Sequence, residues 1–319
     1  MLRRHVLALP SLLLAAPALA QEAWPARPIR VVMPLAAGSA VDVMVRLVAD
    51  RMGEVLGQRL LIENVTGASG MIGMRTAARA APDGYTLAAV NDAVLTMLPN
   101  MSDAAGYDPL RDFAPIGQVA RIRWALAVAT NLQVRDVAGL LAAARARQLD
   151  YASGGPGSPQ HVAMEMFLQA AGVRMNHIGY RGATPALNAV AAGEVAAGFF
   201  GLPTPVPFAE AGRLRLLATA GPQRVASLPD VPTLAESGLA GFSFHTWGAF
   251  LAPAGTPAPV VARLGAALRE AVGTPTVRDR LEAGAFEVVG TTPEVFTEVL
   301  ARDHAAIGTL IRSANIRAE

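Results

Sequence analysis

Two glycine-rich segments hold the residue types best suited to gripping an anion, Leu35-Ala36-Ala37-Gly38-Ser39-Ala40 and Ser153-Gly154-Gly155-Pro156-Gly157-Ser158-Pro159. Each separates a β-rich apolar run from a run with helical spacing. A helix start presents backbone N–H groups that lack intrahelical acceptors, at the positive end of the helix dipole. Glycine at such a place allows positive φ and close approach of a ligand. Either segment alone reads equally well as a tight turn. Two of them at matching places point to a binding site. The first supplies Ala36, Ala37, Gly38, Ser39, Val41 and Asp42 as candidate ligand contacts; the second supplies Ser153, Gly154, Gly155, Gly157, Ser158 and His161. A third helix start, Tyr180 to Pro185, adds Arg181, Gly182 and Thr184, with Thr184 as the expected N-cap and Pro185 as the first helical residue. Asn91, directly after the third strand, and Trp247 join the set.

Several of these residues carry a plainer reading beside the functional one. Asp42 in a first helical turn stabilises the dipole without any ligand. Arg181 can pair with a carboxylate, or sit solvated on the surface. His161 can donate to a ligand, or cap its helix. Trp247 can wall a cleft, or pack in the core.

Covalent chemistry finds little support. The chain has no Cys and no Lys, every basic residue besides His being Arg. That removes thiol nucleophiles, thiolate zinc sites, a P-loop lysine, Schiff-base chemistry and the Ser-x-x-Lys pair. His161, His177, His245 and His304 show no metal-ligand spacing, so no metal is expected. No Gly-x-Ser-x-Gly elbow occurs, and no Ser has a base partner close in sequence. Gly67-x-x-Gly70-x-x-Gly73 departs from the dinucleotide fingerprint, and no cofactor is expected.

The elements that must position these loops come in two similar series. In the first, the expected strands are 29–33, 59–63 and 85–90, and a helix runs from Val41 to Leu56. The turn Gly67-Ala68-Ser69-Gly70 opens a second helix, ending near Ala81. In the second series, a strand ends at Tyr151-Ala152, helices begin at His161 and near Thr184, and strands cover 174–178 and 195–200. Phe244 to Leu251 returns to the first series, and two amphipathic helices follow, over 259–272 and 293–311. Alternating strands and helices imply an α/β fold with parallel sheets covered on both faces, with ligands at the carboxyl ends of the strands.

The N-terminus reads as an export signal. Arg3 and Arg4 precede the apolar stretch Leu7 to Leu14, and Ala18-Leu19-Ala20 gives a cleavage pattern before Gln21. The run is shorter than the ~20 residues of a membrane span. The full chain has 27 basic and 25 acidic residues; loss of Arg3 and Arg4 balances them, so neither nucleic acid nor an acidic membrane surface is an expected partner. Gln21 stands where a lipoprotein needs Cys, so a soluble periplasmic protein is expected.

Longer stretches of the sequence are similar to one receptor family. They include Pro28-Ile29-Arg30-Val31-Val32-Met33-Pro34 with Gly38 and Asp42, Gly67-Ala68-Ser69-Gly70-Met71-Ile72-Gly73, and Ala81-Pro82-Asp83-Gly84-Tyr85-Thr86-Leu87. Further matches are Tyr180-Arg181-Gly182-Ala183-Thr184-Pro185, Leu228-Pro229-Asp230-Val231-Pro232-Thr233 and Leu251-Ala252-Pro253-Ala254-Gly255-Thr256-Pro257. In this order they resemble the Bug-type receptors of tripartite tricarboxylate transporters, over essentially the whole mature chain. The resemblance implies a type II periplasmic binding protein fold: two doubly wound lobes around a ligand cleft, with a hinge. Lobe 1 is expected over 21–121 and 245–319, and lobe 2 over 122–244. It further implies a monomer that binds a small carboxylate through loop N–H groups, hydroxyls and water, then delivers it to a membrane permease. A ligand sensor feeding a two-component system is the alternative, since the same fold serves either role. Family members commonly carry Asp-Asn where Phe200-Gly201 stand, and that Asp can meet a ligand ammonium. Phe200 and Gly201 are therefore expected at the ligand, which would lack an amine and carry an apolar or aromatic portion.

Overall fold

The computed structural model describes residues 24–313. The expected signal peptide over 1–20 and its junction at Gln21 lie outside the described residues. Strands β1 (Ile29–Met33), β2 (Leu60–Asn64) and β3 (Thr86–Asn91) form a parallel set in the order β2-β1-β3. Strand β1 is buried except at Arg30, as a strand covered on both faces must be. Helix α1 (Ala40–Leu56) lays Val41, Met44, Val45, Val48 and Met52 on one face, and stops at Gly57, whose left-handed φ of 75° favours glycine. Helix α2 (Met71–Ala78) covers the other face, where Met74 and Ala77 pack with Val32 and Ala88.

Beyond helices α3 (Leu98–Met101) and α4 (Val137–Ala146) comes a second parallel set. It joins β5 (Asp150–Ser153), β6 (Asn176–Gly179) and β7 (Ala197–Gly201) in the order β6-β5-β7. Helix α5 (Pro159–Ala171) covers one face, with Phe167 edge-on to Phe199 at 5.8 Å. Helix α6 (Ala183–Ala192) covers the other, where Leu187 and Val190 pack with Phe200.

One strand connects the two sets. Strand β4 (Phe113–Ala129) is 17 residues long. Up to Arg123 it pairs antiparallel with β9 (His245–Pro253), and over 120–122 with β10 (Phe286–Val288). From Trp124 onward its partners are β7 and β8 (Leu214–Thr219). Strand β9 also pairs with β3, which makes the sheet continuous. Helix α7 (Val206–Glu210) precedes β8; α8 (Ala258–Gly273), α9 (Pro275–Ala283) and α10 (Pro293–Ser313) follow β9.

The sheet is therefore mixed, whereas the alternation of elements predicts parallel sheets. Each parallel triplet is as expected, and β4, β8, β9 and β10 add antiparallel pairs. The sequence reading assigns no element over 113–129. That strand is buried at most positions and alternates only over 120–124, where Arg121 and Arg123 are partly exposed, a stretch too short to mark a period. Helix α9 is likewise absent from the sequence reading; Thr274 alone separates it from α8, and Pro275 is its first residue.

Asp92, at the end of β3, is a carboxyl buried without full partnership. Its N–H donates to the Trp247 carbonyl at 3.1 Å, while its Oδ1 is buried with no hydrogen bond. Burial, with the charge of Asp303 adding to it, pushes this carboxyl well above the usual range, so it folds protonated. The native state then holds a proton that the unfolded chain releases, so stability falls as pH rises above the ordinary Asp range near 4. Asp92→Asn should be more stable than wild type at pH 8 and no more stable at pH 3. Urea unfolding at the two pH values checks this; an equal effect at both would refute it.

Candidate functional site

The two glycine-rich loops are built alike. Ser39 caps α1 with extended backbone (φ −66°, ψ 157°), and its Oγ accepts from the Asp42 N–H at 3.2 Å. Ser158 caps α5 with φ −68° and ψ 157°, and its Oγ accepts from the His161 N–H at 3.3 Å. The glycine before each cap is left-handed, Gly38 at φ 77° and Gly157 at φ 70°. Each of these glycines donates its N–H to the side chain four residues on. Gly38 donates to Asp42 Oδ2 at 2.9 Å, and Gly157 to His161 Nδ1 at 3.0 Å. Gly-Ser-x-x-Asp and Gly-Ser-x-x-His are thus two versions of one reciprocal cap, a relative of the capping box.

This cap decides which donors remain. The N–H of the third helical residue goes to the cap hydroxyl, and that of the preceding glycine goes to Asp42 or His161. The first and second helical residues have no intrahelical acceptor. Those are Ala40 and Val41 in α1; in α5 Pro159 has no N–H, which leaves Gln160. Helix α6 begins beside the second loop, with the Gly182 N–H donating to the Gly154 carbonyl at 3.2 Å. A Cβ on Gly154 would lie 3.3 Å from the Ala183 nitrogen, so glycine is what lets these two helix starts meet. Met101 of α3 lies against Gly157, where an added Cβ would come within 2.7 Å of its Cε. The second loop therefore touches an element of the first series.

Asp42 anchors its loop and has little capacity left for a ligand. It is 3 % exposed, and besides Gly38 it accepts from Arg46 Nε at 3.0 Å and Asn64 Nδ2 at 3.0 Å. Asn64 also donates to the Leu35 carbonyl at 2.9 Å. Burial alone would raise this carboxyl; the donors from Arg46, Asn64 and Gly38 outweigh it and hold the group below its ordinary value. Sequence reasoning missed Asn64 and Arg46, whose spacing from Asp42 gives no signal for Asn64.

The remaining candidates divide. Ala36, Ala37 and Arg181 are exposed at the loops, and Asn91 ends β3 partly buried, with its Oδ1 buried and unpartnered. Thr184 is exposed but is not the N-cap: α6 starts at Ala183, with Gly182 before it at φ 113°, and Pro185 is the third helical residue. Pro185 is tolerated there because that N–H would also lack an intrahelical acceptor. Trp247 is no cleft wall. It is 1 % exposed, edge-on to Phe296 at 5.2 Å, and donates Nε1–H to Asp303 at 2.9 Å. Phe200 is fully buried with Ala186, Leu187, Val190 and Leu214, and Gly201 is buried opposite Trp124 in the sheet. Neither reaches a ligand, so the inference of an amine-free, partly aromatic ligand loses its basis. Ser153 does have an imidazole partner, His177 Nε2 at 2.6 Å, brought close by strand pairing. Its 0 % exposure keeps it from any substrate. Two surface concavities, of about 320 Å³ beside Met166, Phe242 and Leu310 and about 560 Å³ beside Pro28, Gly53 and Arg59, are lined by none of these loops.

A family model described as the tripartite tricarboxylate transporter family receptor matches residues 44–316. A UPF0065 protein of Bordetella bronchiseptica is 33 % identical over 317 residues, covering 99 % of this chain and 94 % of that one. Among solved structures, Rpa4515 of R. palustris with adipate superposes with a TM-score of 0.87 at 31 % identity, covering 92 % of this chain and 99 % of that chain. MatC from Rhodopseudomonas palustris with bound malate gives 0.83 at 28 % identity, covering 90 % and 100 %.

His161 makes the second cap sensitive to acid. Burial first, and His177 beside it second, lower the His161 imidazole to about 4. The unfolded chain takes up a proton at the ordinary His value, ~6.5, that the native state refuses until about 4. The stability due to this difference is therefore complete above pH ~6.5 and lost as pH falls toward 4. His161→Asn, which keeps an acceptor for Gly157 as Asp42 does for Gly38, should flatten the fall in stability between pH 6.5 and 4. Chemical denaturation across that window measures it, and an unchanged slope in the variant would contradict the assignment.

Proposed function

The chain belongs to the tripartite tricarboxylate transporter receptor family, and from that premise we propose that it captures a small carboxylate between two lobes and passes it to the membrane permease of such a transporter. The family and its structural neighbours are substrate-binding receptors and not enzymes. The observation that carries the proposal is the pair of reciprocal caps. They leave the N–H groups of Ala40 and Val41, and of Gln160, Ala183 and Thr184, without intrahelical acceptors at the starts of α1, α5 and α6. A carboxylate at a helix start gains both charge-assisted hydrogen bonds and the dipole. That adipate and malate occupy two structural neighbours supports this ligand class.

The lobes are taken as 21–121 with 245–319, and 122–244. Support comes from the exchange of β4 partners between Arg123 and Trp124, and from the start of β9 at His245. The hinge lies there, where Trp124 Nε1 donates to Thr246 Oγ1 at 2.8 Å and the Trp124 ring meets Phe244 edge-on at 5.3 Å. Export through the N-terminal signal delivers the receptor to the periplasm, where it acts as a monomer. Among the described residues, no helix is long and apolar enough to cross a membrane.

Proline is favoured as a first helical residue, and Ser39 already has the extended backbone that a following proline requires. Ala40→Pro thus deletes one donor while keeping the helix start, as Pro159 does in α5. Calorimetry with malate, adipate, succinate and citrate should find at least one ligand for the wild type. Ala40→Pro should bind it about tenfold more weakly, the scale of one hydrogen bond to a charged group, with an unchanged melting temperature. If none of the four binds, or if Ala40→Pro binds as well as wild type, the reading fails.

A further inference from the structure

We propose that His177 is a positioning residue for the second ligand loop: it does not touch the ligand but, through Ser153, sets the peptide of Gly155 and hence the direction of the donors that follow. The inference rests on the reading that this loop holds the ligand. Its structural half stands apart from that reading.

Strand β6 buries the wrong residue by polarity. Strand β6 is an edge, pairing with β5 alone. An edge strand should turn its apolar side chain inward and its polar ones to water. Here Ile178 is 38 % exposed, while His177 is the half-buried member of the strand. The register Tyr151↔His177 sets the imidazole beside the β5 tyrosine, with ring centroids 5.1 Å apart. His161 also stacks on it at 4.0 Å with planes 7° from parallel, and lies 6.4 Å from the Tyr151 ring, so the three rings form a cluster. Tyr151 is fixed in turn by its hydroxyl, which donates to Glu165 at 2.5 Å.

Hydrogen accounting then assigns the roles. Ser153 Oγ has three partners: the Gly155 N–H at 3.0 Å, the Gly155 carbonyl at 3.1 Å and His177 Nε2 at 2.6 Å. A hydroxyl has one hydrogen and two lone pairs. All three contacts are hydrogen bonds only if Ser153 donates to the Gly155 carbonyl and accepts from both Gly155 N–H and His177 Nε2–H. His177 is therefore the donor that orients the hydroxyl, and the hydroxyl holds both polar groups of Gly155. That residue sits at φ 116°, a conformation only glycine adopts readily. Its carbonyl also accepts from the Ser158 N–H at 3.1 Å, which carries the constraint to the N-cap of α5. With Gly157 tied to His161, the neighbour of His177 in the stack, both ends of the loop hang on the same pair of imidazoles.

Two substitutions separate the hydrogen bond from the stacking. His177→Phe keeps an aromatic ring beside Tyr151 and His161 but cannot donate; Ser153→Ala removes the relay itself. Backbone amide exchange in the unliganded protein and affinity for malate and adipate are the two readouts. Gly155 exchange should rise about tenfold or more in either variant, while the amides of β1 keep wild-type protection. Affinity should fall about tenfold in each variant, with no further fall when the two are combined, because they break one linked unit. His177→Gln, which restores an N–H donor without the ring, should recover part of both losses. Wild-type Gly155 exchange in His177→Phe, or losses of affinity that add in the double variant, would overturn the proposal. Should wild type bind neither probe, the carboxylate reading falls, and Gly155 exchange alone still decides the role of His177.

Discussion

A helix that begins at a sheet edge must dispose of its first backbone N–H groups, and this structure disposes of only some of them. The serine cap takes the N–H of the third helical residue, and the side chain of that residue reaches back for the preceding glycine. The loop is thus tied on both sides of the gap. Rigidity matters because a donor that must be ordered during binding loses part of its worth to entropy. A site made this way needs no arginine clamp and no bound metal. Its specificity would lie in where backbone is held, so that Asn64 and Arg46, which hold Asp42 and the Leu35 carbonyl, would contribute indirectly.

The architecture repeats such gaps at matching places. Two parallel triplets each project a loop from the carboxyl end of a strand, and β4 joins the triplets as one strand with two sets of partners. Two chain segments run side by side at the junction, β4 near Arg123-Trp124 and the approach to β9 near Phe244-His245. Motion there would move one loop relative to the other while the internal geometry of each cap is preserved. In the proposed receptor, grip and hinge therefore lie in separate parts of the chain.

Much of this was legible in sequence. The strands of both triplets, the loops at Gly38 and Gly157 and their repetition follow from apolar runs, glycine and cap residues within a few positions of one another. The largely buried β4 was not legible, since its alternation is confined to the short stretch around Arg121 and Arg123. Long-range partners were equally silent. Ser153 meets His177 only because β5 and β6 pair in register, and Asp42 meets Asn64 only because β1 and β2 do. Phe200 misled for a related reason. Position in a family pattern says where the backbone runs, whereas the face of the strand decides whether a side chain reaches the cleft or the core.

The account stands on backbone donors at the helix starts, and a crystal structure of the protein with malate or adipate tests that most directly. It predicts carboxylate oxygens within about 3.2 Å of the Ala40 or Val41 nitrogen on one side and of the Gln160, Ala183 or Thr184 nitrogen on the other. A ligand clamped by the Arg181 guanidinium, or seated in a cavity that these helix starts do not line, would contradict it.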